Sequence, residues 1–347
     1  MSFFVCFGAL HGIETLSIIQ LKVRRRIFLI GKAYSKTDYL DGLDSLIRRL
    51  STSNPKREEL INEYNRIQAG DIGEKVVMDL LVKLQLPYDF FIFHNLSLSL
   101  ETKVQFDVLL LTPHYILILE VKNIKGSVIL RDNPSQLVRT LPNGEVQVFN
   151  SPGPQLEEYI YQLKTFLGNK GQNIPVYGAV VFPFTSGLIE QSTNKTTILR
   201  KNELKSFIRN IPIRGPFLTG REIEYWKDYF LNNHIEFNPY PLVERYNIQL
   251  SEIKNGVLCK KCGHIGMKKF PYYWYCPICH YKSKNAHEHT IMEYFKLINN
   301  TMTNPECREF LGIQNPNQSY RLIKKMPLQR VGKNRYAQYM LPKNGDK

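Results

Sequence analysis

The chain has 347 residues, with 46 Lys+Arg against 31 Asp+Glu and a formal net charge of +15. That length points to two or three domains, and 43% hydrophobic with 12% aromatic residues is enough to build cores, which excludes global disorder. No run reaches the ~18 apolar residues that a spanning helix needs, so no stable membrane insertion is expected.

Met1–Leu10 is apolar, but the basic cluster Arg24, Arg25, Arg26 follows it instead of preceding it, the wrong order for a secretory signal. Residues 1–35 read as an extension of uncertain role. Over 36–68 the spacing of Leu40, Leu43, Leu46, Ile47 and Leu50 predicts a helix, broken at Ser51–Pro55 and resumed at Glu58–Gln68. After Gly70 and Gly73 a new amphipathic helix is predicted to begin at Glu74, with Val77, Leu80, Leu81 and Leu84 as its stripe. Strands are predicted at Phe90–Leu98, Val104–Leu111, Tyr115–Val121 and Gly126–Leu130, with a tight hairpin at Thr112-Pro113-His114. A helix over Gln155–Leu167 and a buried strand at Val176–Phe182 complete an α/β sandwich with a mixed central sheet. Residues 200 to 245 read as mostly helical and carry no motif.

Asp107 lies in Val-Gln-Phe-Asp-Val-Leu-Leu-Leu, and Glu120 and Lys122 lie in Ile-Leu-Ile-Leu-Glu-Val-Lys. A charge in so apolar a strand is costly to desolvate unless it is paired or metal-bound. Alternation puts Glu120 and Lys122 on one face, and a hairpin centred on Pro113 brings Asp107 almost opposite Glu120. Two carboxylates that close repel, which raises one pKa unless a cation separates them. A hard divalent ion such as Mg²⁺ suits oxygen ligands, and an adjacent lysine suits phosphodiester hydrolysis. A salt-bridged pair at a sheet end is the alternative reading of the triplet.

The order Gly70-Asp71-Ile72-Gly73-Glu74, His94-Asn95-Leu96, Gln105-Phe106-Asp107 and Glu120-Val121-Lys122-Asn123-Ile124-Lys125-Gly126 resembles the nuclease-related domain, NERD, of the PD-(D/E)xK nuclease superfamily. The resemblance covers about residues 65–185. It implies a restriction-endonuclease-like core in which Asp107 and Glu120 ligate Mg²⁺ (or Mn²⁺), with the Val121 carbonyl as a candidate third ligand. Lys122 would position the nucleophilic water, and Glu74 would join the metal site directly or through water. Asn150-Ser151-Pro152…Gln155 resembles a family motif whose glutamine points into the site; Gln155 is favoured and Gln162 stays open. The proline usual before the aspartate is Phe106 here. His94 and His114 read as structural, and no Walker-type phosphate loop is present.

Of six cysteines, too few for a disulfide scaffold, four form Cys259-x-x-Cys262 and Cys276-x-x-Cys279, 13 residues apart. Two such knuckles close a tetrahedral thiolate cage for structural Zn²⁺ in a reducing, cytoplasmic compartment, and the pattern resembles a zinc ribbon. A redox dithiol is the competing reading. Tyr272-Tyr273-Trp274-Tyr275 supplies strand residues, and Lys260, Lys261, Lys268 and Lys269 suit nucleic-acid contact or protein contact.

Residues 251–347 hold 17 Lys/Arg and 6 Asp/Glu, which suggests a module that meets a polyanion. His289–Asn300 reads as a helix, Thr303-Asn304-Pro305-Glu306 as a helix start, and Pro316–Met326 as a second helix. Arg330–Arg335 reads as a wing before a strand at Tyr336–Leu341. This resembles a winged helix-turn-helix, a small basic helical cap being the alternative. The resemblance places Gln318, Ser319, Arg321, Lys324 and Lys325 on or near a recognition helix, with Arg330, Lys333 and Arg335 on phosphates.

The expected division is an extension (1–35), a helical lead-in (36–68), a nuclease-like domain with helical continuation (69–250), a zinc ribbon (251–285) and a winged-helix-like module (286–347). The function expected is a Mg²⁺-dependent DNA nuclease. A non-cleaving nucleic-acid-binding protein or an assembly adaptor is the runner-up, and a protein partner or homo-oligomer stays open.

Overall fold

The computed structural model describes residues 20–23, 26–184, 187–191 and 195–342. Met1–Leu10, Arg24 and Arg25 lie outside the described residues. Contacts divide the chain into two compact units. One runs to Ser35 and resumes over Ala69–Glu236; the other takes Lys36–Gln68 and all residues from Phe237 onward. The stretch 36–68, expected as a lead-in to the nuclease-like domain, therefore shares a unit with the C-terminal residues.

In the first unit seven strands form a mixed sheet. Their spatial order is Gln20–Val23, Arg26–Lys32, Phe90–Ser99, Lys103–Leu111, Ile116–Val121, Val176–Phe182 and Ile198–Arg200. Residues 26–32, read from sequence as part of an extension, pair in parallel with Phe90–Ser99 inside this sheet. Ile116–Val121 is buried at every position because both faces are covered. On one face Leu156, Leu163, Leu167, Trp226 and Phe230 pack, from the helices Pro152–Asn169 and Gly220–Asn232. On the other face Val77, Met78, Leu81, Leu204 and Ile208 pack, from Lys56–Leu81 and Leu204–Arg209. The predicted strand near Gly126–Leu130 is Ser127–Asp132, and it belongs to a second, four-stranded sheet with Ile189–Gln191, Ser135–Thr140 and Val146–Asn150.

The helix expected to begin at Glu74 does not begin there. Lys56–Leu81 is one helix of 26 residues, so Glu74 sits in its interior. Each glycine lowers helix stability by about 1 kcal/mol relative to alanine, which favours a break at Gly70 and Gly73. Tertiary packing overrides that preference at Gly73, where an added Cβ would come within 2.8 Å of the Asn123 Cβ. The helix approaches the sheet end more closely than any larger residue permits.

The second unit has one continuous core. It joins Leu43, Leu46 and Leu60 to Cys259, Trp274 and Cys276 of the cysteine module and to Ile291, Phe310 and Ile323 of the C-terminal helices. Three short strands, Lys268–Lys269, Trp274–Tyr275 and Lys282–Ser283, form an antiparallel ribbon. The helix Ala286–Leu297, strand Thr301–Thr303, helices Asn304–Leu311 and Pro316–Ile323, and strands Gln329–Val331 and Gln338–Met340 follow. Their sheet order puts the last strand between the other two, and the strand Thr301–Thr303 was not expected from the sequence.

The helix Asp38–Arg49 is tied into this unit by charge as well as by its leucine face. Arg49 is 1% exposed, and its guanidinium pairs with Glu293 at 2.5 Å and donates to the Lys254 carbonyl at 2.7 Å. Removing one partner of a buried pair strands the other charge, so Arg49→Ala is expected to destabilise the unit by about 3–5 kcal/mol. Urea unfolding checks this, and Arg49→Met with Glu293→Met should recover most of the loss.

Candidate active site and metal centre

The apolar strands bring three predicted residues to one sheet end. Pairing of Lys103–Leu111 with Ile116–Val121 runs to Val108 opposite Leu119, and Asp107 and Glu120 come next in the same register. The Asp107 Oδ2 accepts from the Val121 backbone N–H at 2.8 Å. Lys122 Nζ donates to Glu120 Oε1 at 2.7 Å. Glu120 is 2% exposed, and its second oxygen, Oε2, is buried with no hydrogen-bond partner in the protein.

Glu74 approaches from the long helix, and its Oε2 lies 2.8 Å from His94 Nε2. Burial, then the charges of Asp71 and Glu120, push the Glu74 carboxyl up to about 7. Burial, then Glu120 and Glu74, hold Asp107 well above the usual carboxylate range. For Lys122 burial opposes charge, but Glu120 and Asp107 outweigh it and raise its pKa. Glu74, Asp107 and Glu120 thus lie in one another's electrostatic field, with the ammonium groups of Lys122 and Lys32 acting against their repulsion. Carboxylate oxygens are the donors a hard divalent cation takes, yet among the described residues the four cysteines are the one group of three or more His, Cys, Asp or Glu whose ligand atoms converge closely enough to hold an ion.

Gln155 and Gln162 have different partners. Gln162 is 3% exposed, and its amide is engaged by Thr102 and by Glu158. Gln155 lies in the first turn of Pro152–Asn169 and donates to the Tyr159 hydroxyl at 3.1 Å. Burial raises the Tyr159 pKa first, and Glu120 and Asp107 add to it, which places this phenol in their field.

Sequence reasoning missed a second set of polar groups behind Glu74. Lys32 Nζ donates to the carbonyls of His94 at 3.0 Å and Asn95 at 2.8 Å. Burial lowers the Lys32 pKa to about 8 despite nearby Glu236 and Glu74. Tyr34 donates to Asp71 Oδ2 at 2.7 Å. His94, read as structural, is 1% exposed, and burial followed by Lys32 pushes its pKa down to about 4. Its Nδ1 accepts from the Ser35 backbone N–H at 3.5 Å, so the neutral ring carries its proton on Nε2 and donates to Glu74. Nothing local marked Lys32, whose partners lie more than sixty residues away; His94 was marked only by its place in the motif order.

In the second unit the Sγ atoms of Cys259, Cys262, Cys276 and Cys279 lie within 4.8 Å of one another, a group able to hold a metal ion. The Cys259–Cys279 and Cys262–Cys276 sulfur separations are both 3.6 Å, near the ~3.8 Å edge of a tetrahedron with ~2.3 Å zinc–sulfur bonds. Each knuckle turns through a left-handed residue, Gly263 at φ 75 and His280 at φ 57. All four thiols are free, so no disulfide competes.

The predicted nucleic-acid contacts divide. Arg321, Lys324, Lys325, Arg330 and Lys333 are exposed and Gln318 is half-buried. Ser319 is not at the surface: it is 0% exposed, and its hydroxyl donates to Asn304 Oδ1 and the Pro316 carbonyl, joining the two helices. The Arg335 side chain lies outside the described residues.

The fold and the buried cluster define a mixed α/β domain with a carboxylate–lysine site. Residues 69–183, about a third of the chain, match the family model of the nuclease-related domain, NERD. No curated protein and no solved structure matches the chain. Among the described residues no helix is long and apolar enough to cross a membrane.

Proposed function

We propose that this protein is a divalent-metal-dependent nuclease that hydrolyses DNA phosphodiester bonds. The buried Glu120 Oε2, which has no hydrogen-bond partner and has Asp107 and Glu74 in its field, carries the reading, because such an oxygen is open to a cation. Asp107, Glu120 and the Val121 carbonyl would hold Mg²⁺ or Mn²⁺, with Glu74 joining them and His94 fixing its orientation. A cation there supplies charge stabilisation at the scissile phosphate and acidifies water. Lys122, aligned by Glu120, would orient the attacking water and offset charge building on the phosphoryl oxygens. Gln155 would hold the Tyr159 phenol toward the same pocket.

The four cysteines are assigned to a structural Zn²⁺ with every position filled by thiolate, which suits a reducing compartment such as the cytoplasm. Gln318, Arg321, Lys324 and Lys325, with Arg330, Lys333 and Arg335, would deliver the catalytic unit to DNA.

The test is incubation of wild type and Lys122→Ala with circular and linear DNA, with Mg²⁺, Mn²⁺ or no added divalent ion. Cleavage should require the ion and fall by about a hundredfold in the variant. No cleavage by the folded, zinc-loaded protein would favour a non-cleaving nucleic-acid-binding role.

A further inference from the structure

The ribbon sheet has two unlike faces. Cross-strand register sets Lys269, Trp274 and Ser283 on one side, where Trp274 is 1% exposed and its indole N–H donates to His287 Nδ1 at 3.1 Å. Lys268, Tyr275 and Lys282 share the opposite side. Phe270 and Tyr273 close the hairpin there and stack at 5.2 Å with an interplanar angle of 13°. Tyr275 meets the edge of Phe270 at 5.9 Å and stacks on His280 at 5.7 Å. Lys282 Nζ stands 5.1 Å from the centre of the Tyr273 ring. Tyr272, at the hairpin tip, is 83% exposed, and Phe270 is 41% exposed.

The charge on this segment has one sign. Residues 255–285 contain six lysines and no Asp or Glu. A face built from aromatic rings and flanked by ammonium groups, on a segment without Asp or Glu, is complementary to a flexible polyanion whose repeating unit carries a flat π surface. Duplex DNA would use the lysines but not the rings, because its bases are already stacked on one another. Unpaired bases would use both.

We infer that the Phe270–Tyr273–Tyr275 face of the ribbon is a stacking platform for unpaired bases, so the nucleic acid this protein engages carries a single-stranded segment. This rests on the reading of the protein as one that acts on DNA, and it names the form of that DNA. The lysines at the rim hold the backbone while the rings hold the bases.

The experiment measures anisotropy of labelled oligothymidylate and of a labelled hairpin duplex with the full-length, zinc-loaded Lys122→Ala protein and no added divalent ion. The single strand should bind. Adding Phe270→Ala or Tyr273→Ala should weaken it by about tenfold, with duplex affinity and zinc content unchanged. Phe270→Trp, which keeps a ring, should retain binding. Undiminished affinity in both alanine variants overturns the platform, as does an equal loss for the duplex. Failure of the parent protein to bind any oligonucleotide at low salt also overturns it. Cleavage does not enter this measurement. A protein that binds through the rings but never cuts defeats the nuclease reading alone, and one that cuts but binds the single strand equally well without the rings defeats the platform alone.

Discussion

Asp107→Asn is expected to abolish metal-dependent DNA cleavage, by about a thousandfold, while raising the thermal stability of the protein without added Mg²⁺ by a few degrees at pH 8. The two effects share one cause. Burial and the neighbouring Glu120 and Glu74 raise the Asp107 pKa in the folded state, so its ionised form is unfavourable there. A carboxyl raised by folding binds its proton more tightly in the native than in the unfolded chain, so stability falls as pH rises from the unfolded pKa through the folded one. Asparagine removes the charge but keeps an oxygen to accept the Val121 N–H that Asp107 now accepts. The stability gain should therefore shrink toward zero as the pH is lowered through the acid range. Added Mg²⁺ should stabilise wild type and not the variant. Melting curves against pH, with and without Mg²⁺, check both; a variant less stable than wild type at pH 8 would mean that the carboxylates do not strain the fold.

Loss of zinc is expected to disorder the second unit as a whole. Cys259 and Cys276 are fully buried members of the same apolar cluster as Leu43, Met302 and Phe310, so the cage is part of the core. Structural zinc sites in small modules contribute about 10–16 kcal/mol of apparent binding free energy, which is folding free energy when no site exists in the unfolded chain. Cys276→Ser should lose the metal and expose Trp274, seen as a red shift of its emission, while Trp226 in the first unit remains buried. Metal content measured on the purified variant completes the test, and unchanged zinc would show that the four thiols do not form the cage.

The central strands were legible because their residues are apolar without interruption, and Asp107, Glu120 and Lys122 stood out as charges in that setting. Register then needed only the Pro113 turn. Other features were hidden by long-range causes. Local propensity argued for a helix break at Gly70–Gly73, whereas the helix runs on and Gly73 is where it passes too near Asn123 to admit a Cβ. The strand Arg26–Lys32 is specified by Phe90–Ser99, some sixty residues later. Alternation itself fails at one place. Phe91 and Phe93 share a core with Leu96 and Leu98, and Val104 and Phe106 share it with Leu109 and Leu111. Both strands therefore change phase near Asn95, which has φ 50, and Asp107. No rule of strict period two could place the side chains there. Ser319 looked like a surface residue because the reading of its helix did not include Asn304.

The interleaving of the two units sets an order of maturation during synthesis. Once Glu236 has emerged, the first unit has all of its chain and can close. The helix Asp38–Arg49 was made much earlier, yet the surface that covers Leu43 and Leu46 and the carboxylate that meets Arg49 are translated about two hundred residues later. At roughly 5–20 residues per second, that leucine face waits on the order of ten seconds or more without its partners. The nascent chain thus carries a first unit whose residues are all present and a second unit whose core is still incomplete, and in that interval the leucine face is the apolar surface open to misassociation.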